Sequence, residues 1–283
     1  MLLTLLLMCA PQSGTYLRNG PGQWDVGGGG GASFHHLFDG YATLVRVSFR
    51  RGRATGAHRQ IESDAYVSAV ASGGPVLREF SQCPKPGSLL DRVSNAVGIL
   101  SGAAISDNPN TGVVPLGDDR VLCLNEITKG SVLVDPETLA TVGKLRYADG
   151  LGGMMTMLQS GHPIVTESEL LTVLPDLAGP CHLVVRMAAG SDEREVIGRV
   201  DCRGGPTPGW MHSFAVTENY VVVPEMPLRY SISSMLKSEL AQFYLFDWLP
   251  ASGSYMHVVR KSTGKTVSAN FLGQIGLLFA VSS

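Results

Sequence analysis

Seven histidines give this sequence its widest chemical reach, and two of them sit in patterned surroundings. His162 lies in GHPIVT and His212 in WMHSF; each leads into a short apolar run, and they are 50 positions apart. Neutral imidazole suits iron, copper or zinc, and histidines at strand starts can converge on a common axis. Taken singly, such a histidine is more simply a hydrogen-bonded structural residue. Glu126, directly after the run VLCLN, is either a solvated strand-end charge or an acceptor for an imidazole N–H. His35, His36, His58, His182 and His257 lack patterned neighbours and read as structural.

Other chemistries fail on spacing. There is no G-x-S-x-G elbow for a serine nucleophile. The stretch STGKT at 262–266 resembles the end of a phosphate loop, but the glycine needed at 259 is Val259. The glycine run at 27–31 leads to Phe34-His35-His36 and a strand, not to a helix N-terminus, so nucleotide binding is rejected.

The elements that must position these residues are mostly strands. Charged residues are 16% of the 283, Gly numbers 34 and Pro 16, a composition for strands and tight turns. With 22 Lys+Arg against 24 Asp+Glu there is no basic excess for nucleic acid. Five cysteines at 9, 83, 123, 181 and 202 form no CxxC pair, which points to free thiols in a reducing compartment. Short apolar runs recur between turn signals: 42–49 with 53–61, 111–115 with 120–125, then 131–134, 141–147, 163–166, 170–174, 182–187, 196–201, 213–216, 220–223, 243–248, 256–260 and 266–271. Residues 88–100 and 233–242 read as helices. Repeated hairpins with the two histidines 50 apart suggest a β-propeller or a large sandwich, since blades recur at about 40–50 residues. The apolar run at 2–8 is far shorter than a membrane span and lacks a basic flank, so it reads as a shortened or unrelated start.

Longer stretches carry a resemblance. GTYLRNGPG at 14–22 with Trp24, and HLFDGYA at 36–42, are similar to signatures of the carotenoid cleavage oxygenases. HRQIESDAY (58–66), HPIVTESELLTVLPDL (162–177) and RVDCRGGPTPGWMHSFAVTENYVVVPEMPLRY (199–230) resemble that family's plant branch, which makes carlactone, the strigolactone precursor, from a 9-cis apocarotenal. The resemblance covers residues 14–268, with 1–13 as an unrelated start and 269–283 as a divergent apolar tail.

It implies an all-β, partial seven-bladed propeller with a few short helices, holding Fe(II) on its axis through four histidines. His162 and His212 map onto two of these, and Glu126 onto an outer glutamate that orients His212; no catalytic residue beyond the metal site is implied. The implied reaction is cleavage of a polyene C=C bond by O2, with an apocarotenoid substrate in an apolar tunnel and a plastid location, although no transit peptide is visible. A cytoplasmic location is the alternative. No nucleic acid or oligomer is implied; a peripheral membrane contact through the helix at 88–100 stands beside the simpler reading of that helix as packed on the propeller. No histidine follows His257, so the third and fourth ligands are missing. The chain therefore reads as C-terminally truncated and inactive alone, and the alternative function is a non-catalytic propeller fragment that binds a protein partner or lipophilic ligand.

Overall fold

A computed structural model of the chain describes residues 13–27, 33–82, 84, 88–117, 119–151, 157–235 and 246–273. The strand periodicity resolves into sheets built from sequence neighbours. A three-stranded sheet, β1 (Gly14–Gln23), β2 (Tyr41–Arg50) and β3 (Arg53–Gln60), comes first. Two antiparallel four-stranded sheets follow: β4 (Gly112–Pro115), β5 (Val121–Leu124), β6 (Val132–Val134), β7 (Thr141–Lys144); then β8 (Ile164–Val165), β9 (Glu169–Asp176), β10 (Cys181–Ala188), β11 (Arg194–Asp201). In the last four-stranded sheet, β12 (Ala215–Val216) and β13 (Tyr220–Glu225) pair onward with β16 (Ser254–Arg260) and β17 (Thr266–Gly273). The hairpin β14 (Leu228–Tyr230) and β15 (Phe246–Trp248) is inserted between β13 and β16. Up-and-down sheets of four strands in chain order are propeller blades.

Blades pack face to face, so their middle strands are covered on both sides. That is why β9 is buried at six consecutive positions from Leu170 to Pro175 instead of alternating. Leu171, Val173, Val184, Val200, Met211, Val221, Val223 and Val259 form one such interface, and Ala42, Leu44, Val121, Cys123, Val132 and Val134 another. Each fully buried aliphatic side chain stabilises the fold by about 1.5–3 kcal/mol. Pro224 is tolerated in β13 because β12 pairs only as far as Val222, so the missing N–H faces no neighbouring strand there.

Two helices leave the blades. The first, α1 (Asp64–Ser72), starts where the Ser63 hydroxyl accepts the Tyr66 N–H and ends at Gly73 in the left-handed region, φ 71°. The second, α2 (Leu89–Leu100), starts with a reciprocal capping box between Ser88 and Asp91. Its apolar stripe is not packed on the propeller: Leu89, Leu90, Val93, Val97 and Leu100 are exposed, and Ile99 is the residue that enters the core. Of the helix expected at 233–242, Ile232–Met235 forms one helical turn and the rest lies outside the described residues, as do glycines 28–31 and most of the tail. Strand β17 runs through the boundary drawn at residue 268.

Candidate metal centre and cleft

His162 follows Gly161 at the entry to β8, and His212 lies just before β12, on adjacent blades. Their Nε2 atoms meet 3.1 Å apart, with the rings perpendicular. The Gly161 N–H donates to the His212 carbonyl at 2.9 Å, tying the two loops together. A Cβ at Gly161 would lie 3.1 Å from His212 Nδ1 and 3.0 Å from the Thr111 methyl, so any larger residue would crowd both neighbours.

Glu126 sits beyond the end of β5, where its carbonyl accepts the Gln159 N–H. Its carboxylate accepts two hydrogen bonds: from His212 Nδ1 at 2.5 Å on Oε1 and from Trp210 Nε1 at 3.0 Å on Oε2. The first fixes the tautomer, because a proton held on Nδ1 leaves the Nε2 lone pair facing His162. Burial, then the neighbouring His212, pull the His162 imidazole below its ordinary range, which favours its neutral form.

Two nitrogens sharing one first-row metal at about 2.0–2.1 Å lie about 3 Å apart when the ligand angle is near 90°. The pair therefore fits two adjacent positions around an ion. Among the described residues no group of three or more His, Cys, Asp or Glu side chains comes together to hold a metal. The other histidines are placed elsewhere. His182 Nε2 bonds the Gly209 carbonyl, His257 bonds Glu225, and His36 Nδ1 accepts the Phe38 N–H. His58 lies on β3 and His35 in the connection between β1 and β2.

The pair opens onto a cleft of about 530 Å³, within the usual size for a small-molecule site. Its walls are aromatic: Phe38 stacks edge-on against Phe80, and Trp210 and Tyr230 both lie 5.2 Å from Phe246. Glu79 also lines it; burial outweighs a hydrogen bond from Ser106 and pushes this carboxyl up to about 8. The fold gathers His162, His212 and Glu126, the three residues that the sequence marks. Trp210 carries no such mark beyond its place two residues before His212.

Stacked antiparallel blades with an imidazole pair at an aromatic cleft define a β-propeller with a candidate metal site between adjacent blades. The model of the family described as retinal pigment epithelial membrane protein (RPE65) matches residues 11–275, and the chain belongs to that family. It is 69% identical over 267 residues to carotenoid cleavage dioxygenase 8 homolog A, chloroplastic, of Oryza sativa subsp. japonica, covering 92% of this chain and 47% of the relative. It is 52% identical over 262 residues to carotenoid cleavage dioxygenase 8, chloroplastic, of Arabidopsis thaliana, covering 91% and 45%. The chain thus spans about half the length of the curated relatives it matches. Cobalt-substituted Synechocystis ACO shares the fold with a TM-score of 0.70 at 19% identity, over 95% of this chain and 54% of that one.

Proposed function

We propose that this chain carries half of the iron centre and the substrate cleft of a carotenoid cleavage dioxygenase of the carlactone-forming, strigolactone-precursor type. The observation that carries the reading is the meeting of His162 and His212 through Nε2 at 3.1 Å, with Glu126 behind His212. The names of its relatives, chloroplastic carotenoid cleavage dioxygenases, support the substrate class and a plastid location. Fe(II) bound there would supply the centre at which O2 and a polyene C=C bond react.

This chain's own residues do the rest. The two neutral imidazoles keep the ion's charge uncompensated, Glu126 fixes the His212 tautomer, and the aromatic walls hold an apolar apocarotenoid and exclude water. Leu89, Leu90, Val93 and Val97 form an exposed apolar stripe on α2, and Ile99 on the same helix lines the cleft. A lipid surface on that stripe would deliver an apolar substrate to the cleft; the chain should co-sediment with vesicles, and Leu90→Glu should abolish that, whereas unchanged binding by Leu90→Glu would sink the membrane contact.

Two imidazoles hold an ion weakly. The chain alone is expected to take up Co(II) reversibly, to lose that uptake in both His162→Ala and His212→Ala, and to show no apocarotenal turnover with Fe(II) and O2. Co(II) uptake that survives both substitutions overturns the assignment. The second reading, a non-catalytic fragment that binds a lipophilic ligand, is favoured by the absence of a third ligand among the described residues. Apocarotenal binding without metal, in wild type and His212→Ala alike, would select it.

A further inference from the structure

Behind the centre, on the far side of the loop 202–210, lies a buried charged cluster that takes no part in binding a metal or a polyene. Glu225 ends β13, Arg229 lies on β14 and His257 on β16, and all three side chains are 0–2% exposed. Register places His257 opposite Val223, two residues before Glu225 and therefore on the same face. Glu225 Oε1 accepts from Arg229 Nη2 at 2.6 Å and the Gly204 N–H at 2.8 Å; Oε2 accepts from His257 Nε2 at 2.7 Å and the Arg203 N–H at 2.9 Å.

The same cluster grips the loop from below. Arg229 Nη1 donates to the Thr207 carbonyl at 2.9 Å. A Cβ at Gly204 would lie 2.5 Å from Arg229 Nη2, and one at Gly205 2.9 Å from Arg229 Nε, so two glycines let the loop backbone lie on the guanidinium. From the other side, burial brings fully enclosed His182 down to about 4. As a neutral ring it donates from Nε2 to the Gly209 carbonyl at 3.0 Å and accepts the Cys202 thiol on Nδ1 at 3.4 Å. The Trp210 N–H then bonds the Leu228 carbonyl, one residue from Arg229. These anchors run along the loop from Cys202 to Gly209 and on to the backbone of Trp210, whose indole bonds Glu126.

We propose that the Glu225–Arg229–His257 cluster is a positioning device for the two-histidine centre: it fixes the loop 202–210 and through it the Trp210–Glu126–His212 chain. Glu225 is thus a positioning residue, not a ligand. Where it concerns metal affinity, the proposal rests on the assignment of His162 and His212 made above.

The test uses the 283-residue chain without metal and reads two nuclear resonances, the Trp210 indole N–H and the His212 ring, assigned with Trp210→Phe and His212→Ala. Glu225→Gln is compared with Asp149→Asn, which breaks the buried Arg194–Asp149 pair elsewhere in the propeller. Glu225→Gln should move both resonances and weaken Co(II) binding about tenfold. Asp149→Asn, at a similar loss of thermal stability, should move neither. If Glu225→Gln fails to fold, Gly205→Ala and His257→Gln carry the same expectation. Equal shifts in the two classes of variant, or none in either, overturn the proposal. If the wild type takes up no Co(II), the metal assignment fails while the resonances still decide the positioning role.

Discussion

Glu126→Gln should weaken Co(II) binding by 10–100-fold, the range for partners that orient a ligating imidazole. The carboxylate now accepts two donors, His212 Nδ1–H and Trp210 Nε1–H, one on each oxygen. A glutamine keeps one oxygen and replaces the other with an NH2 group, so one of the two donors must face a donor. If His212 loses its acceptor, the tautomer with the proton on Nε2 gains population, and the atom facing His162 becomes a donor without a free lone pair. The loss should therefore appear in affinity with little change in thermal stability, because Glu126 is partly exposed and pays little for burial. Calorimetric titration of the two proteins with Co(II) reads it, and Trp210→Phe should give a smaller loss because it removes a support and not the acceptor. Equal affinities in Glu126→Gln and wild type would show that the carboxylate does not set the tautomer.

The strands were legible because turn chemistry marks their ends: Gly52 takes φ 75° at the β2–β3 hairpin, and the runs at 170–174 and 182–187 lie inside β9 and β10. What periodicity could not show was how far each strand extends. β10 begins at Cys181 and β13 continues to Glu225, because neighbouring strands supply partners past the apolar run. β1 was legible only as a motif. GTYLRNGPGQ reads as turn by its glycines and proline, yet pairing with nine residues of β2 makes it a strand. Helix α1 was missed for another reason. DAYVSAVAS is small and weakly contrasted, and its evidence lies in the caps Ser63 and Gly73 rather than in an apolar face.

The site divides the same way. His162, His212 and Glu126 could be named because each stands beside an apolar strand in a patterned segment, but their convergence depends on how adjacent blades pack, which spacing alone does not encode. His182 and His257 read as structural, and each is buried with hydrogen-bonding partners. Nothing in the sequence hints that His257 shares a carboxylate with Arg229: 225 and 229 stand four apart in the chain, but 257 joins them only through the β13–β16 pairing. The stripe on α2 shows the reverse limit. Its periodicity identified the helix, but a helix whose apolar face points outward has the same periodicity as one packed inward.

Arg229→Met should cost the chain about 3–5 kcal/mol at pH 7, the range for breaking a buried ion pair by removing one partner. Methionine fills much of the arginine stem's volume, so the loss comes chiefly from Glu225, left buried with one donor fewer, and from the Thr207 carbonyl. Acid sensitivity gives a separate signature. Burial alone would raise the Glu225 carboxyl, but hydrogen bonds from His257, the Arg203 N–H, Arg229 and the Gly204 N–H together bring it from 4.5 down to about 2. A carboxyl depressed on folding stabilises the chain above its unfolded value and loses that contribution as pH falls from about 4.5 toward 2. Without Arg229 the folded value rises toward the unfolded one, so the stability curve of the variant should be flatter across that window, as read by urea unfolding at a series of pH values. Glu225→Leu should cost more than Arg229→Met, because it orphans two loop N–H groups as well as Arg229 and His257. The double variant should cost less than the sum of the two, by about 1–3 kcal/mol, since the two residues contact each other directly. Simple additivity would mean that the pair contributes no coupling to the fold, and a parallel acid limb in Arg229→Met would mean that the guanidinium is not what holds Glu225 ionised.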